Sequence, residues 1–438
     1  MTLEDRLFTC LEPWREAPAW HIALSGGLDS SVLLHLLARL SNREALPPLS
    51  AIHIHHGLQP VADAWPEHCR QVCAALGIPL QVRHVQVASG ASLERAAREA
   101  RYAALAAELG AGDVLLTAQH RDDQAETLLF RLLRGAGVRG LAGMPSSRRL
   151  GRGWLVRPLL DVSRRELEAY AQAEGLNWVE DPSNQDDRMA RNYLRNRVMP
   201  LLAARWPQAQ NNLARSAVHL REAQELLDDL ARQDLAAARQ DPAPFPWLPL
   251  PSLALAPLVS LSPARQRNAM RHWLAPLTPL PDSDHWAGWV DLLRASVDAG
   301  PIWRLAGGEL RRSDGRLWWL TGDWLRPAPP AQEWHDPSAP LRLPGNGRLL
   351  LEGQVPSGSL RVRYRQGGEV LALPGRGHRD LKRLLNERGV PVFIRGRLPL
   401  LYRGDELLAV ANLPGLDGPA DTSWRLVWEP PSDDHGLS

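Results

Sequence analysis

The sequence predicts an α/β protein with a parallel-sheet N-terminal domain, a helical central domain and a small α+β C-terminal domain. Three observations lead to this fold class. Over the first ~200 residues, short apolar strands alternate with helical patterns, as they do in parallel α/β sheets. The chain has 438 residues, too many for one core, which predicts roughly three domains. A Pro-rich stretch, "LRPAPPAQEWHDPSAPLRLPGNG", separates the helical pattern from the last strands.

We therefore expect domains over 1–205, 206–325 and 346–438, with a Pro-rich linker over 326–345. The predicted strands of the first domain are "HIAL", "LSAIHIHHGL", "LQVRHVQV" and "DVLLTAQH". A helical pattern follows each of them, and ligands of such sheets bind at the carboxyl ends of the strands. In the central segment, the tryptophans of residues 280–330 fit a core better than a surface that stacks on bases.

The composition predicts a cytoplasmic protein with no membrane segment. No apolar run approaches the ~18 residues of a membrane helix, and the N-terminus carries acids where an export signal would be basic. Three cysteines, an odd and sparse count, fit a reducing compartment. Cys69 and Cys73 are four residues apart without a second Cys or His pair at zinc spacing, which favours two buried thiols on one helix face.

The net charge is only +2, but basic residues are concentrated in three segments. Residues 361–403 contain ten arginines and one lysine against three acids, and the segments 139–165 and 188–205 are also rich in arginine. Such clusters in a balanced protein suggest a polyanion partner. Solvated helix faces are the alternative explanation.

The stretch "HIALSGGLDSSVLL" joins an apolar strand to a helix through a glycine-rich loop, Ser25–Ser30. Helix N-termini bind anions because their first N–H groups have no intrahelical acceptor. The loop has no lysine of the kind that reaches β- and γ-phosphates, and it carries Asp29 instead. A carboxylate beside phosphates needs a cation between them, so Asp29 predicts a Mg²⁺–nucleotide site.

A second acidic cluster follows the predicted fourth strand, where Asp122, Asp123 and Glu126 lie near a helix N-terminus. Helix capping would explain one or two of these acids. Asp122 and Asp123 each share a helix face with Glu126, so the cluster also suits Mg²⁺ or a cationic amine.

Ser25-Gly26-Gly27-Leu28-Asp29-Ser30 resembles the SGGxDS loop of the PP-loop ATP pyrophosphatases, which adenylate a substrate oxygen. The order of the later motifs resembles the tRNA(Ile)-lysidine synthetase family over residues ~20 to ~200. These motifs are His53–Leu58, His120–Thr127, Arg134–Gly137, Arg157–Leu160, Glu180–Asn184 and Arg191–Arg195. The resemblance resumes in "LALPGRGHRDLKRLLNERG". One departure is Gln59, which stands where family members often carry Arg.

The resemblance implies a PP-loop nucleotide-binding domain and an ATP-dependent ligase that attaches free L-lysine to the wobble cytidine of an isoleucine tRNA with a CAU anticodon. An O2-adenylated base would form first, and AMP and pyrophosphate would be released. Mg²⁺ is the implied metal, with Asp29 as its ligand. No protein partner is predicted, and a homodimer stays open.

The resemblance also implies roles for individual residues. The catalytic candidates are Asp29, Asp123, Glu126 and Arg134. The candidates for ATP binding are Ser25, Gly26, Gly27, Leu28, Asp29, Ser30, Ala23, His53 and Ile54. The candidates for lysine binding are Asp122, Asp123, Glu126 and Arg191. The candidates for tRNA binding are Arg376, Arg379, Lys382, Arg383 and Arg395.

Four other functions are weighed against this one. A PP-loop tRNA thiolase needs paired cysteines near the site, and none follows Cys73. An amide-forming ligase would not need a basic C-terminal domain, and an RNA-binding scaffold would not need the acids. A metal hydrolase built from the histidines at 53, 55, 56 and 120 would leave the glycine-rich loop unexplained.

Overall fold

The structure, a computed structural model, describes residues 2–57, 60–87, 93–240, 244–281, 284–296, 300–373, 377–419 and 423–432. Leu58, Gln59 and Arg376, which the sequence analysis singled out, lie outside these ranges. The chain divides into two compact units, Met1–Glu225 and Leu226–Leu437. The division falls within one long helix, Ala209–Gln240.

The described part of the first unit contains a six-stranded sheet. Its strands are β1 (Trp20–Ala23), β2 (Leu49–His55), β3 (Leu80–His84), β4 (Val114–Leu116), β5 (Ser147–Leu150) and β6 (Gly153–Val156). The strand order is β3-β2-β1-β4-β6-β5, and β5 alone among these pairs antiparallel. The predicted parallel-sheet domain is confirmed.

Ten α-helices are described between residues 3 and 240. They are α1 (Leu3–Leu11), α2 (Leu28–Ser41), α3 (Trp65–Ala75), α4 (Leu93–Ala107), α5 (Arg121–Leu132), α6 (Val138–Leu141), α7 (Arg164–Ala173), α8 (Ala190–Tyr193), α9 (Met199–Arg205) and α10 (Ala209–Gln240). A π-helical turn, Leu194–Val198, joins α8 to α9. In α2, Leu33, Leu34 and Leu37 are fully buried, and burial of each leucine contributes roughly 1.5–3 kcal/mol.

The strand order decides where a ligand can bind. The chain leaves β1 towards β2 on one side, while β4 lies on the other side of β1. A crevice opens at the carboxyl ends of strands at such a switch point. Residues 24–27 after β1 and residues 117–120 after β4 therefore meet at one edge of the sheet.

The first part of the second unit is less helical than the sequence analysis expected. It contains α11 (Leu255–Val259), α12 (Pro263–Leu274) and α13 (Ala287–Arg294), together with the strands β7 (Ser252–Ala254), β8 (Ile302–Leu305), β9 (Gly308–Ser313) and β10 (Arg316–Thr321). In the described residues these strands form a sheet in the order β7-β10-β9-β8. Every residue of β10 is buried, and an apolar run this short has no period that separates strand from helix.

The tryptophans of this region lie in the core, as predicted. Trp289 and Trp303 pack in the cluster around β9 and β10, and Trp318 and Trp324 pack in a second cluster with the later strands.

The remainder of the second unit is α+β, as predicted. Its strands and helices are β11 (Gln332–Trp334), β12 (Leu341–Arg342), β13 (Arg348–Gly353), β14 (Leu360–Arg363), β15 (Val370–Leu373), β16 (Gly377–Asp380), α14 (Leu381–Glu387), α15 (Val392–Arg395), β17 (Leu400–Arg403), β18 (Glu406–Val410) and β19 (Trp424–Glu429). The segment 326–345, expected to be a linker, contains two short strands and contributes to the core. Its Trp334 and Leu343 are 3% and 1% exposed and belong to the core, because its prolines separate short strands instead of exposing the chain.

Within the described part of the chain we find no helix that combines the length and the apolar character needed to span a membrane.

Candidate active site

The glycine-rich loop turns sharply between β1 and α2. Gly26 has φ +86°, a conformation that residues with a side chain rarely adopt. A Cβ atom on Gly26 would lie 3.1 Å from Val179 Cγ2 and 3.2 Å from Cys69 Sγ. The Val179 N–H donates to the Gly26 carbonyl at 2.9 Å. Both the backbone conformation and the close packing beneath the loop therefore require glycine here.

Two serines hold the loop in shape. The Ser25 N–H donates to Ser30 Oγ at 3.2 Å, and Ser30 Oγ donates to the Gly27 carbonyl at 3.0 Å. The Gly27 N–H donates to Ser25 Oγ at 3.3 Å. Helix α2 begins directly after Gly27, so the N–H groups of its first turn have no intrahelical acceptor and point out of the helix. This geometry suits an anion.

Asp29 lies in that first turn and fits a hard cation. Its Oδ2 atom is 3.6 Å from Nε2 of His120 and 3.6 Å from Nη1 of Arg164. Its Oδ1 atom is buried and has no hydrogen-bond partner among the described residues. Buried polar atoms normally have a partner, and Mg²⁺ is commonly held by one or two carboxylates together with phosphate oxygens.

His120 connects this loop to the second acidic cluster. It precedes α5, is 1% exposed, and places Nε2 3.6 Å from Oδ2 of both Asp29 and Asp123. Burial, the largest single effect, lowers the pKa of His120, but the carboxylates of Asp29, Asp123 and Asp122 outweigh it and raise the pKa above its usual value. The imidazole lies between the two carboxylates, an environment that favours its protonated form.

Asp123 and Glu126 are paired with two arginines from one helical segment. Glu126 Oε1 accepts from Arg195 Nε at 2.6 Å, and Glu126 Oε2 accepts from Arg195 Nη2 at 2.8 Å and from Arg191 Nε at 3.2 Å. Asp123 Oδ1 accepts from Arg195 Nη2 at 3.0 Å and from Arg191 Nη2 at 3.4 Å.

The charges around Asp123 keep it ionised. Burial, the largest single effect, raises the pKa of Asp123. His120, Arg191 and Arg195 together lower it by more, so the pKa lies below its usual value. For Arg195, burial lowers the pKa and the pairing with Glu126 and Asp123 raises it above its usual value.

Two of the predicted site residues lie elsewhere. Asp122 Oδ2 accepts from the backbone N–H of Arg164 at 2.8 Å, at the start of α7. The predicted capping of α5 falls instead to Asp123, whose Oδ2 accepts from the His120 N–H at 3.1 Å. Arg134 follows the C-terminal end of α5, and its guanidinium lies over the Phe130 ring at 5.1 Å. At ~1.5 Å per residue it is roughly 16 Å along the helix direction from Asp123.

These elements surround a cavity of about 800 Å³ in the first unit, a size typical of ligand sites. The residues with predicted site roles that line it are Ala23, Ser25, Gly27, Leu28, Asp29, Ser30, His53, Ile54 and Asp123. Gly26, Glu126 and Arg191 are not among its lining residues.

Several other lining residues had no predicted role. These include Arg101, Tyr102, Arg164, Trp178, Glu180, Asp181 and Arg195. Glu180, Asp181 and Arg195 belong to motifs that the sequence analysis quoted, but a motif does not say which of its side chains faces a cavity.

The histidines do not form the metal site that a hydrolase would need. His53 Nδ1 is 2.9 Å from the Leu24 carbonyl, and His55 Nε2 is 3.2 Å from Asp63 Oδ1. A carbonyl only accepts, so His53 donates there. The described ranges contain no group of three or more His, Cys, Asp or Glu side chains arranged to hold a metal ion.

The two neighbouring thiols are core residues, as predicted. Cys69 and Cys73 are 0% and 1% exposed, and burial raises their pKa values to about 12 and about 11. The thiolate is the reactive form of cysteine, so neither thiol suits the sulfur transfer of a thiolase.

The predicted tRNA-binding residues lie in the second unit and differ in how free their charges are. Arg383 donates to Glu387 at 2.9 Å, and Arg395 donates to the Val390 carbonyl at 2.7 Å. Arg379 and Lys382 are exposed, and within the described residues neither side chain has an ion pair or a hydrogen bond. The basic composition of 361–403 therefore overstates the charge available to a partner.

Three family profiles match the chain. They are a PP-loop domain over residues 1–202, a TilS substrate binding domain over 253–318 and a TilS substrate C-terminal domain over 360–428.

Curated relatives match along the whole length. The tRNA(Ile)-lysidine synthase of Pseudomonas fluorescens is 66% identical over 99% of this chain and 98% of its own. The protein of the same name from Pseudomonas aeruginosa is 66% identical over 100% and 99%, and that of Coxiella burnetii is 40% identical over 94% and 93%. This chain belongs to the tRNA(Ile)-lysidine synthase family.

Proposed function

We propose that the protein is an ATP-dependent ligase that joins free L-lysine to C2 of the wobble cytidine in the CAU anticodon of an isoleucine tRNA. The observation that carries this is the full-length identity of 66% to proteins named for this activity. The paired loops after β1 and β4 support it, because they bring a phosphate-binding helix start and two carboxylates to one cavity. The substrates and the sparse cysteines fit the cytoplasm.

In the first half-reaction, the cytosine O2 attacks the α-phosphorus of ATP, and the bond to the β-phosphate breaks with release of pyrophosphate. The first-turn N–H groups of α2 would bind the phosphates, with Ser25 and Ser30 fixing the loop. Asp29 would hold Mg²⁺, which neutralises phosphate charge when bound. His53 and Ile54 would border the adenosine.

In the second half-reaction, the ε-amine of lysine attacks C2 and AMP leaves, since adenylation has given this carbon a leaving group. The amine must first lose a proton. Asp123 lines the cavity and is ionised, which supports it as the group that orients the ammonium. Its lowered pKa makes it a weak acceptor of the proton. Both carboxylate oxygens of Glu126 already accept hydrogen bonds from Arg191 or Arg195. This supports a role for Glu126 in positioning the arginines that contact Asp123.

The remaining assignments are parts of the same proposal. Arg191 would support the lysine site through Asp123. The catalytic role of Arg134, toward the developing phosphate charge or the lysine carboxylate, stays a prediction. The basic C-terminal region would bind tRNA phosphates through Arg379 and Lys382, which gives affinity without reading sequence. The isoleucine and methionine tRNAs share a CAU anticodon, so contacts outside the anticodon must separate them.

The test is a filter-binding assay with labelled lysine, ATP, Mg²⁺ and an isoleucine tRNA transcript bearing CAU, beside the methionine tRNA. We expect ATP-dependent labelling of the first RNA alone, with AMP released. AMP formation without labelling would keep the adenylation step and remove lysine as the nucleophile. The absence of both AMP formation and labelling would overturn the proposed function.

A further inference from the structure

Arg191 and Arg195 form a natural pair for comparison. They are about one helical turn apart, in α8 and in the π-helical turn that follows it. Both donate to Asp123 and Glu126, and their side chains are equally exposed, at 33% and 32%. A role that consisted only of neutralising these two carboxylates would be shared by both arginines.

The cavity distinguishes the two. Arg195 lines it together with Ser25, Gly27 and Asp29 of the phosphate loop, whereas Arg191 is not among the lining residues. Arg191 instead reaches back to Thr127 Oγ1 at 3.3 Å. The contacts of Arg195 with Glu126 and Asp123 use Nε and Nη2, so Nη1 takes part in none of them.

Arg195 lines the same cavity as the phosphate loop, so an N–H donor outside its ion pairs suits an anion there. Asp123 and Glu126 carry two negative charges, and Arg191 and Arg195 compensate them before any substrate arrives. Glu126 holds the Arg195 guanidinium by a bidentate pair, which fixes its plane as well as its position. A fixed guanidinium beside a phosphate loop can donate to a non-bridging phosphate oxygen.

We propose that Arg195 binds the α-phosphoryl group of ATP during adenylation and that Glu126 acts as its positioning residue. The proposal rests on the proposed function and deepens it. As the bond from cytosine O2 to the α-phosphorus forms, the bond to the β-phosphate breaks and its electron pair leaves on pyrophosphate. Arg195 stabilises the charge on the non-bridging oxygens and transfers no proton.

The test uses the two diastereomers of ATPαS, in which sulfur replaces one non-bridging α-oxygen. Pyrophosphate release is followed in a single turnover with the full-length enzyme, the CAU-bearing isoleucine tRNA and no lysine. In the wild type, one diastereomer should react about 10-fold more slowly than ATP or worse, because sulfur weakens a charge-assisted hydrogen bond. R195K should remove most of this penalty, and the matched variant R191K should keep it.

Loss of the penalty in both variants would show that the two arginines share a structural role. An unchanged penalty in R195K would show that Arg195 does not bind the α-phosphate. Either result overturns the proposal. Melting temperatures of the two variants monitor their folding.

A second measurement needs no variant. Phenylglyoxal, which modifies arginines, is applied to the wild type with and without Mg-ATP, and the labelled peptides are quantified by mass spectrometry. ATP should protect Arg195 but not Arg191, and absence of protection at Arg195 would contradict the proposal. This readout does not depend on lysine or tRNA, so it can succeed or fail independently of the proposed function.

Discussion

At the scale of single residues, Asp29 combines two features that point to a bound ligand. It lies at a helix start that favours an anion, and one of its oxygens is buried with no donor in the described structure. Both features make sense if a cation and a phosphate are bound together beside it.

Asp29→Asn keeps the size of the side chain and removes its charge. We expect AMP formation to fall by about 100-fold or more, because the variant forfeits several kcal/mol of charge neutralisation. Binding of tRNA, measured by filter retention, should change little, since the residues proposed to bind its phosphates, Arg379 and Lys382, lie in the second unit. Equal losses of AMP formation and tRNA binding would mean that the loop is only structural.

His120→Asn tests the ion pairs between the two acidic loops, since asparagine also serves at helix N-caps. The folded pKa of His120 is raised above its unfolded value near 6.5. Its stabilisation is therefore complete below the unfolded pKa and is lost as the pH rises through the folded pKa. The difference in melting temperature between wild type and variant should therefore be largest below about pH 6.5 and should shrink as the pH rises through the raised pKa of the folded state.

The control for this measurement is His219→Asn, because His219 is an exposed histidine on α10. It should shift the melting temperature little at any pH. A difference for His120→Asn that stays constant or grows with pH would argue against a protonated imidazole.

At the scale of elements, the turn between β1 and α2 depends on glycine at position 26. Gly26→Ala should destabilise the protein by roughly 1–2 kcal/mol from backbone strain alone, and the contacts with Val179 and Cys69 add to this. The loop must also shift, so the KM for ATP should rise. Thermal unfolding and steady-state kinetics measure the two effects.

Gly175→Ala is the matched control. Gly175 also has a positive φ, +61°, but a Cβ atom there meets nothing within 4 Å. This variant should show the strain and leave the KM for ATP unchanged. An unchanged KM in Gly26→Ala would indicate that the loop geometry is not needed for nucleotide binding.

Elements with a clear period or a clear boundary could be predicted from the sequence. The alternation in "LSAIHIHHGL" and the glycine-rich turn predicted β2 and the start of α2, and the structure confirms both. β10 could not be predicted, since "RLWWLT" is buried at every residue and has no period. The strands within 326–345 were not predicted, because the many prolines of this segment indicated a linker. Its apolar residues Trp334 and Leu343 were the signal for a buried segment.

At the scale of the whole molecule, the balance of paired and free charges decides which basic residues can meet a polyanion. Arg397 shows the limit of counting charges. It belongs to the basic segment, yet it is 4% exposed and donates to the Asp323 carbonyl at 2.8 Å. Its guanidinium is used in hydrogen bonds inside the second unit and is not available to a polyanion.

Neutralisation of Arg379 and Lys382, as Arg379→Gln with Lys382→Gln, should therefore raise the KM for tRNA with little effect on the KM for ATP. The slope of log affinity against log salt should fall by about 1 for each phosphate that the variant no longer neutralises. The control is Arg361→Gln, because Arg361 already pairs with Glu333 at 2.9 Å. An unchanged salt slope in the double variant would exclude these two residues as phosphate ligands.

The sequence by itself determined the fold class, the family and the presence of a phosphate loop with an acid. These features depend on residues that are close together in the sequence, such as the glycines of a turn or the members of a short motif. Only the tertiary structure decided which charged side chains meet. Asp122 and Asp123 are adjacent in sequence, yet one caps α7 and the other lines the cavity. Arg191 and Arg195 belong to one motif, yet only Arg195 of the two lines the cavity beside the phosphate loop. Such choices depend on helix phase and strand order, which bring distant residues together and leave no local signal.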